Sequence, residues 1–288
     1  MRAYLKPKSP LLKQALSPTQ DLRQPSSFTQ ALHWMGAPLC KEAATWLDAF
    51  SLLIKTFQRL VQPHCWRWHD ISTAIVHTGI GSLPIVVVST AVAGVVVTNE
   101  IAWHMDAALH TISMIPGFSG QFIFRELGVA IPALLLVAKV GAATTAEVGS
   151  MKVTEQIDAL KLLGIDPITY LVFPRFIAAL VSSVCLTIIA VSITLVCAIA
   201  VAVIQYQFSV AEFIIALQHF IGTRDILCAL VKGVGCGGAI PIISCAYGFR
   251  CTGGAEGVGT ATTNSVVAST IAVIILDFIL TYVFTLIF

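Results

Sequence analysis

Long apolar runs alternate with short polar segments along most of the chain. Five runs reach the roughly 20 residues needed to cross the hydrocarbon of a bilayer. They cover residues 79–102, 122–148, 176–204, 226–249 and 265–288. The first is preceded by Trp66 and Trp68, the aromatic type favoured at the membrane surface. The third contains no charged residue, the second contains Arg125, Glu126, Lys139 and Glu147, and the fifth a lone Asp277. Lengths of 24 to 29 residues predict tilted helices or helices that extend past the hydrocarbon.

Two further segments have helical periodicity but too many polar positions to span. In residues 41–62, Leu47, Phe50, Ile54, Phe57 and Val61 recur at steps of three and four, widened by Trp46, Leu53 and Leu60. Lys55, Gln58 and Arg59 take the other side, a pattern that suits a helix lying in the membrane interface or packed on protein. Between the second and third spans, Ile157, Leu160 and Leu163 form a stripe, with Glu155, Asp158 and Lys161 elsewhere. Gly164 and Pro167 predict where that short helix ends.

Composition agrees. Of 288 residues 57% are hydrophobic and 11% charged, with mean hydropathy +0.87. A soluble domain has roughly 25% charged residues, so a soluble enzyme or binding module is excluded. A net charge of +2 gives no footprint for nucleic acid. Nine of the 17 Lys and Arg precede Asp70, the loop 103–121 holds none, and the loop 149–175 holds Lys152, Lys161 and Arg175. The positive-inside rule places the N-terminus in the cytoplasm and, after five spans, the C-terminus outside. Residues 1–38, rich in Pro, Gln, Ser and Lys, are expected to form a flexible basic cytoplasmic tail, and 39–69 an interfacial amphipathic helix.

Charges inside spans cost about 2.5–3.5 kcal/mol each on insertion scales and mark structure or function. Arg125 and Glu126 are neighbours near the outer end of span two, where each could offset the other's charge or both could anchor the helix at the interface. Lys139, Glu147 and Asp277 are the other candidates, Asp277 facing protein or a cavity. Ala138, Ala142 and Ala146 have the spacing that lets helices approach closely. The eight cysteines form no C-x-x-C pair and the seven histidines no H-E-x-x-H, so no metal site is expected. His104 and His110 fall in the expected first loop. The glycines of 233–238 suit close helix packing and those of 253–259 a turn. The sequence contains no G-x-x-x-x-G-K-[ST] loop, so any ATP would be bound by another chain.

The segment RELGVAIPALLLVAKVGAATTAEVGSMKVTEQIDALKLLGIDPITYLVFPR, residues 125–175, closely resembles the signature region of the MlaE (YrbE) permease family. GGAEGVGTATTNSVVASTIAVIILDFILT, residues 253–281, resembles that family's C-terminal signature. The chain departs from the family pattern at Val129, where Pro is usual, at Lys139 for Arg, and at Asn264 for Arg.

The resemblance implies an all-α membrane protein: an N-terminal interfacial helix, five transmembrane helices in a permease domain over 70–288, and a cytoplasmic coupling helix between spans two and three. It implies a homodimeric permease subunit in the bacterial inner membrane, moving phospholipids between inner and outer membranes. A separate ABC ATPase subunit, a periplasmic MCE-domain protein and, in some complexes, a STAS-domain protein are the implied partners. Glu155, Gln156, Ile157, Asp158 and Leu160 are then the expected ATPase-coupling residues, and Arg125 and Glu126 the expected lipid site. The chain itself would hold no catalytic residue and no cofactor. The rival classes are an intramembrane enzyme, with Glu126, Asp277 and the histidines as candidates, and a passive channel or scaffold.

Overall fold

The structure, a computed structural model, describes residues 27–60, 67–109 and 114–287. The expectations for residues 1–26, Val61, Trp66 and His110 lie outside the described residues. The chain divides into two units, Met1–Ala44 and Thr45–Phe288. A first helix, α1 (Ser27–Leu60), enters the second unit at Thr45, and the account below concerns that unit.

The second unit is all-α among the described residues. Five helices are long and apolar enough to cross a membrane: α2 (Trp68–Met105), α3 (Ile115–Val153), α5 (Ile168–Tyr206), α7 (Thr223–Phe249) and α8 (Gly254–Ile287). At 1.5 Å per residue the 39 residues of α3 extend about 58 Å, well past a hydrocarbon core of about 30 Å. Two short helices, α4 (Gln156–Leu162) and α6 (Val210–Phe220), lie between spans.

Two expected loops prove partly helical. The first was predicted over 103–121, yet α2 runs through Met105 and α3 begins at Ile115. His104 is therefore helical, one turn from Glu100, whose Oε2 lies 3.8 Å from its Nε2. The third was predicted over 205–225, and most of it is α6. Ser209 caps this helix by accepting from the Glu212 N–H, while the Glu212 carboxylate accepts from the Ser209 N–H. Phe220 of α6 packs against Phe118 of α3, with ring centroids 5.7 Å apart.

Small residues set the helix spacing. On α7, a Cβ at Gly233 would lie 2.9 Å from Thr187 Oγ1, and the Gly233 carbonyl accepts from Ser183 Oγ at 2.9 Å. Gly233, Gly237 and Gly238 thus press α7 against α5, while Gly235 faces Leu280 of α8. Gly253 and Gly254 have φ of +92° and +74°, and form the left-handed turn into α8.

Gly141, Thr145 and Gly149 form a close-approach stripe on α3; of the expected Ala138, Ala142 and Ala146, the first is exposed and the other two are half-buried. Thr145 Oγ1 lies 2.7 Å from Ser265 Oγ of α8 and 3.1 Å from the Ser244 carbonyl of α7. A Cβ on Gly248 would come within 2.8 Å of Val148 Cβ.

α1 turns Thr45, Ala49, Leu52 and Thr56 onto the bundle and leaves Leu47, Phe50, Ile54 and Phe57 exposed. Arg250, at the end of α7, fixes it through Asp48 (2.7 Å) and Thr45 Oγ1 (2.8 Å). Arg59 reaches Asp166, just before α5, at 3.1 Å.

Candidate functional site

Three spanning helices bring five charged groups together. Lys232 lies nine residues into α7, about 14 Å along the axis. Glu126 is eleven residues into α3 and Asp277 ten from the end of α8, depths of about 16 and 15 Å from the same end of the bundle. The depths match, and the side chains meet. The Lys232 side chain has no exposed surface; its Nζ lies 3.2 Å from Glu126 Oε1 and 2.9 Å from Asp277 Oδ1, and donates to the Arg125 carbonyl at 2.6 Å. The ammonium donates to the Arg125 carbonyl and to Glu126, while Asp277 faces it as an ion pair whose buried Oδ1 takes no hydrogen bond.

Arg125 and Glu126 are adjacent, but they do not pair with each other. Their turn, Ile123–Leu127, is π-helical, a local widening often found at functional sites. Arg125 Nε bonds Asp225 Oδ1 at 2.7 Å. Asp225 Oδ2 accepts from the Gly222 N–H at 3.0 Å, so one carboxylate caps α7 and holds the guanidinium. Glu126 turns instead toward α7 and α8, where Thr281 Oγ1 is 3.3 Å from its Oε1. Beside these groups opens a cavity of about 380 Å³ lined by Arg125, Arg224, Asp225, Thr281 and Thr285, among others.

The site contains two residues that the sequence pattern did not single out. By sequence Asp225 falls in the loop before span four, and Lys232 lies inside that span. A lysine inside an apolar run is the same signal that singled out Asp277, and it was readable.

The remaining predicted intramembrane charges lie elsewhere. Lys139 donates to the Gly81 carbonyl of α2, from a second π turn at Val137–Gly141. Glu147 pairs with Arg175 at 2.7 Å, joining α3 to α5.

The five coupling candidates sit at the opposite end of the bundle. Glu155 has φ +60° and opens α4. Asp158 takes hydrogen bonds of 2.9 Å from both Lys152 and Lys161. Those two ammonium groups, Lys152 first, hold its carboxyl down at about 2. Ile157 is 2% exposed and belongs to the core with Val148, Leu171 and Phe173, with Leu160 packed against it. Glu155 and Gln156 are exposed, but so are Leu162 and Leu163, at 90% and 75%. The apolar surface α4 offers outward is therefore Leu162–Leu163, not Ile157.

Among the described residues no group of His, Cys, Asp and Glu is arranged to hold a metal. The cluster couples three helices electrostatically and places a guanidinium beside a cavity, an arrangement suited to binding an anion.

Comparison with known proteins agrees with this architecture. The family model described as Permease MlaE matches residues 71–283. A probable ABC transporter permease protein of Rickettsia felis is 36% identical over 211 residues, covering 72% of this chain and 79% of that protein. One from Synechocystis is 32% identical over 234 residues, 81% of this chain and 88% of the relative. The Arabidopsis chloroplastic protein TRIGALACTOSYLDIACYLGLYCEROL 1 is 31% identical over 218 residues, 76% of this chain and 62% of that protein. The match across all five spans, together with these relatives, makes the chain a member of the MlaE permease family, a multi-pass membrane transporter subunit.

Proposed function

We propose that this chain is the membrane subunit of an ABC transporter that moves phospholipids between the inner and outer membranes of a bacterium. It works as a homodimer in the inner membrane. A separate ATPase subunit supplies the work, an MCE-domain protein receives or delivers lipid in the periplasm, and some assemblies add a STAS-domain protein. The N-terminus and α4 face the cytoplasm, by the distribution of Lys and Arg.

The observation that carries this reading is the position of Arg125. Its guanidinium stands at the mouth of a cavity, held by Asp225 at 2.7 Å and still 45% exposed. A phosphate at that mouth could take the free N–H donors in a bidentate contact. At the cytoplasmic end, Leu162 and Leu163 form an exposed apolar tip on a helix braced by Lys152–Asp158–Lys161. That tip suits docking into an ATPase groove. α1, with Leu47, Phe50, Ile54 and Phe57 exposed and Thr45, Ala49, Leu52 and Thr56 on the bundle, suits a helix lying in the cytoplasmic leaflet.

Reconstitution tests the reading. The chain and its ATPase partner are placed in vesicles with labelled phospholipid, and transfer to an acceptor is followed with and without ATP. Transfer that requires both ATP and this chain supports the proposal. Equal transfer without ATP, or without this chain, overturns it.

A further inference from the structure

Lys232 is the only cation within ion-pair distance of Glu126 and Asp277 among the described residues, and it is fully buried. Arg125 is committed to Asp225 in a pair of its own. With every group ionised, one ammonium therefore faces two carboxylates, and this inner triad carries one net negative charge. Arg224, in the first turn of α7, lies about 12 Å along the helix from Lys232, at the cavity mouth and exposed. α5, which packs on α7 behind the triad, brings hydroxyls there, Ser183 and Thr187, and no charge. The thiols of Cys228 and Cys236 are the other titratable groups nearby on α7. None of these supplies the missing positive charge.

An unbalanced carboxylate at this depth is expensive, and two carboxylates that share one site do not both ionise readily. One oxygen of each carboxyl group lies within ion-pair distance of the same nitrogen, at 3.2 Å for Glu126 and 2.9 Å for Asp277, so both compete for a single ammonium.

We propose that Glu126 and Asp277 together bind one proton on the Lys232 ammonium, forming a proton-binding site within the membrane. Binding is simple addition: one carboxylate takes H⁺ from water and becomes a carboxylic acid, and the triad becomes neutral. Thr281 is the connection to solvent, because its hydroxyl reaches Glu126 Oε1 at 3.3 Å and also lines the 380 Å³ cavity. The site is a property of this chain alone and requires neither cargo nor ATPase, so it stands or falls separately from the transport proposal.

Infrared difference spectroscopy of the full chain in lipid nanodiscs tests it, reading the carbonyl stretch of a protonated carboxylic acid and its downshift in D₂O. Wild type should show one such band per chain at neutral pH, removed as the pH is raised. Glu126→Gln and Asp277→Asn should each abolish it, because the remaining carboxylate then pairs one-to-one with Lys232. Asp225→Asn, outside the triad, should retain it. A wild-type spectrum with no protonated carboxyl at neutral pH overturns the proposal. So does a band that survives both triad substitutions in folded protein. The wild-type measurement decides even if a variant fails to fold.

Discussion

Lys232 Nζ lies 2.9 Å from Asp277 Oδ1, and this contact joins the fourth and fifth spanning helices well below the end of the bundle. The same nitrogen reaches Glu126 on the second. One buried side chain therefore sets the relative rotation of α3, α7 and α8.

Breaking a buried ion pair from one side costs about 3–5 kcal/mol, because the remaining charge is left uncompensated. Lys232→Met should lower the melting temperature of the chain in nanodiscs accordingly. Adding Glu126→Gln and Asp277→Asn to Lys232→Met should recover most of the loss. A Lys232→Met chain as stable as wild type would mean that the carboxylates are solvated and the cluster is not structural.

At the α4 end of the bundle, leucine and isoleucine positions separate into core and surface. Ile157→Asp puts a charge into the core and should reduce stability by several kcal/mol. Leu162→Asp with Leu163→Asp changes exposed positions and should leave the stability within about 0.5 kcal/mol of wild type. That double variant should nonetheless fail to co-purify with the ATPase. Co-purification at wild-type yield would remove the tip from the docking surface.

The brace on α4 has a defined pH window. Asp158 has its carboxyl held at about 2 in the folded chain, below the ordinary carboxylate value near 3.8. A depressed carboxyl contributes above its unfolded value and loses that contribution as pH falls toward the folded one. Hydrogen exchange in α4, corrected for intrinsic rates, should thus be independent of this group from pH 5 to 8, with protection falling between about pH 4 and 2. Asp158→Asn should remove the pH dependence. A loss of protection beginning near pH 6 would point to a different group.

Gln58 is exposed on α1, on the side away from Leu52 and Thr56. In a cysteine-free background, Gln58→Cys should react with a membrane-impermeant maleimide only from the cytoplasmic side. Labelling from outside would reverse the orientation of the whole chain.

The five spans were legible because apolar runs of 24 or more residues have no stable alternative outside a bilayer. The helix α6 was legible in principle: Ser209 and Glu212 form an S-x-x-E cap, but its 11 residues are too short to count as a span. Lys232, like Asp277, stands out as a charge within an apolar run, although Cys228, Ala229, Leu230 and Val231 before it keep the local average apolar. The pairings themselves were not legible. Arg125 pairs with Asp225 and Glu126 with Lys232 across a π turn and between helices far apart in sequence, which residue spacing does not encode. Ile157 and Leu163 belong to one stripe in sequence; only the fold shows that the first is core and the second is outside.

The most direct measurement of the transport account is phospholipid transfer by the reconstituted complex carrying Arg125→Ala, with ATPase activity and assembly measured in the same sample. The account predicts normal assembly, continued ATP hydrolysis and transfer reduced at least tenfold, a factor equal to about 1.4 kcal/mol of lost headgroup binding, with Arg125→Lys retaining more than Arg125→Ala. Transfer at the wild-type rate in Arg125→Ala, or loss of assembly in both variants, would contradict it.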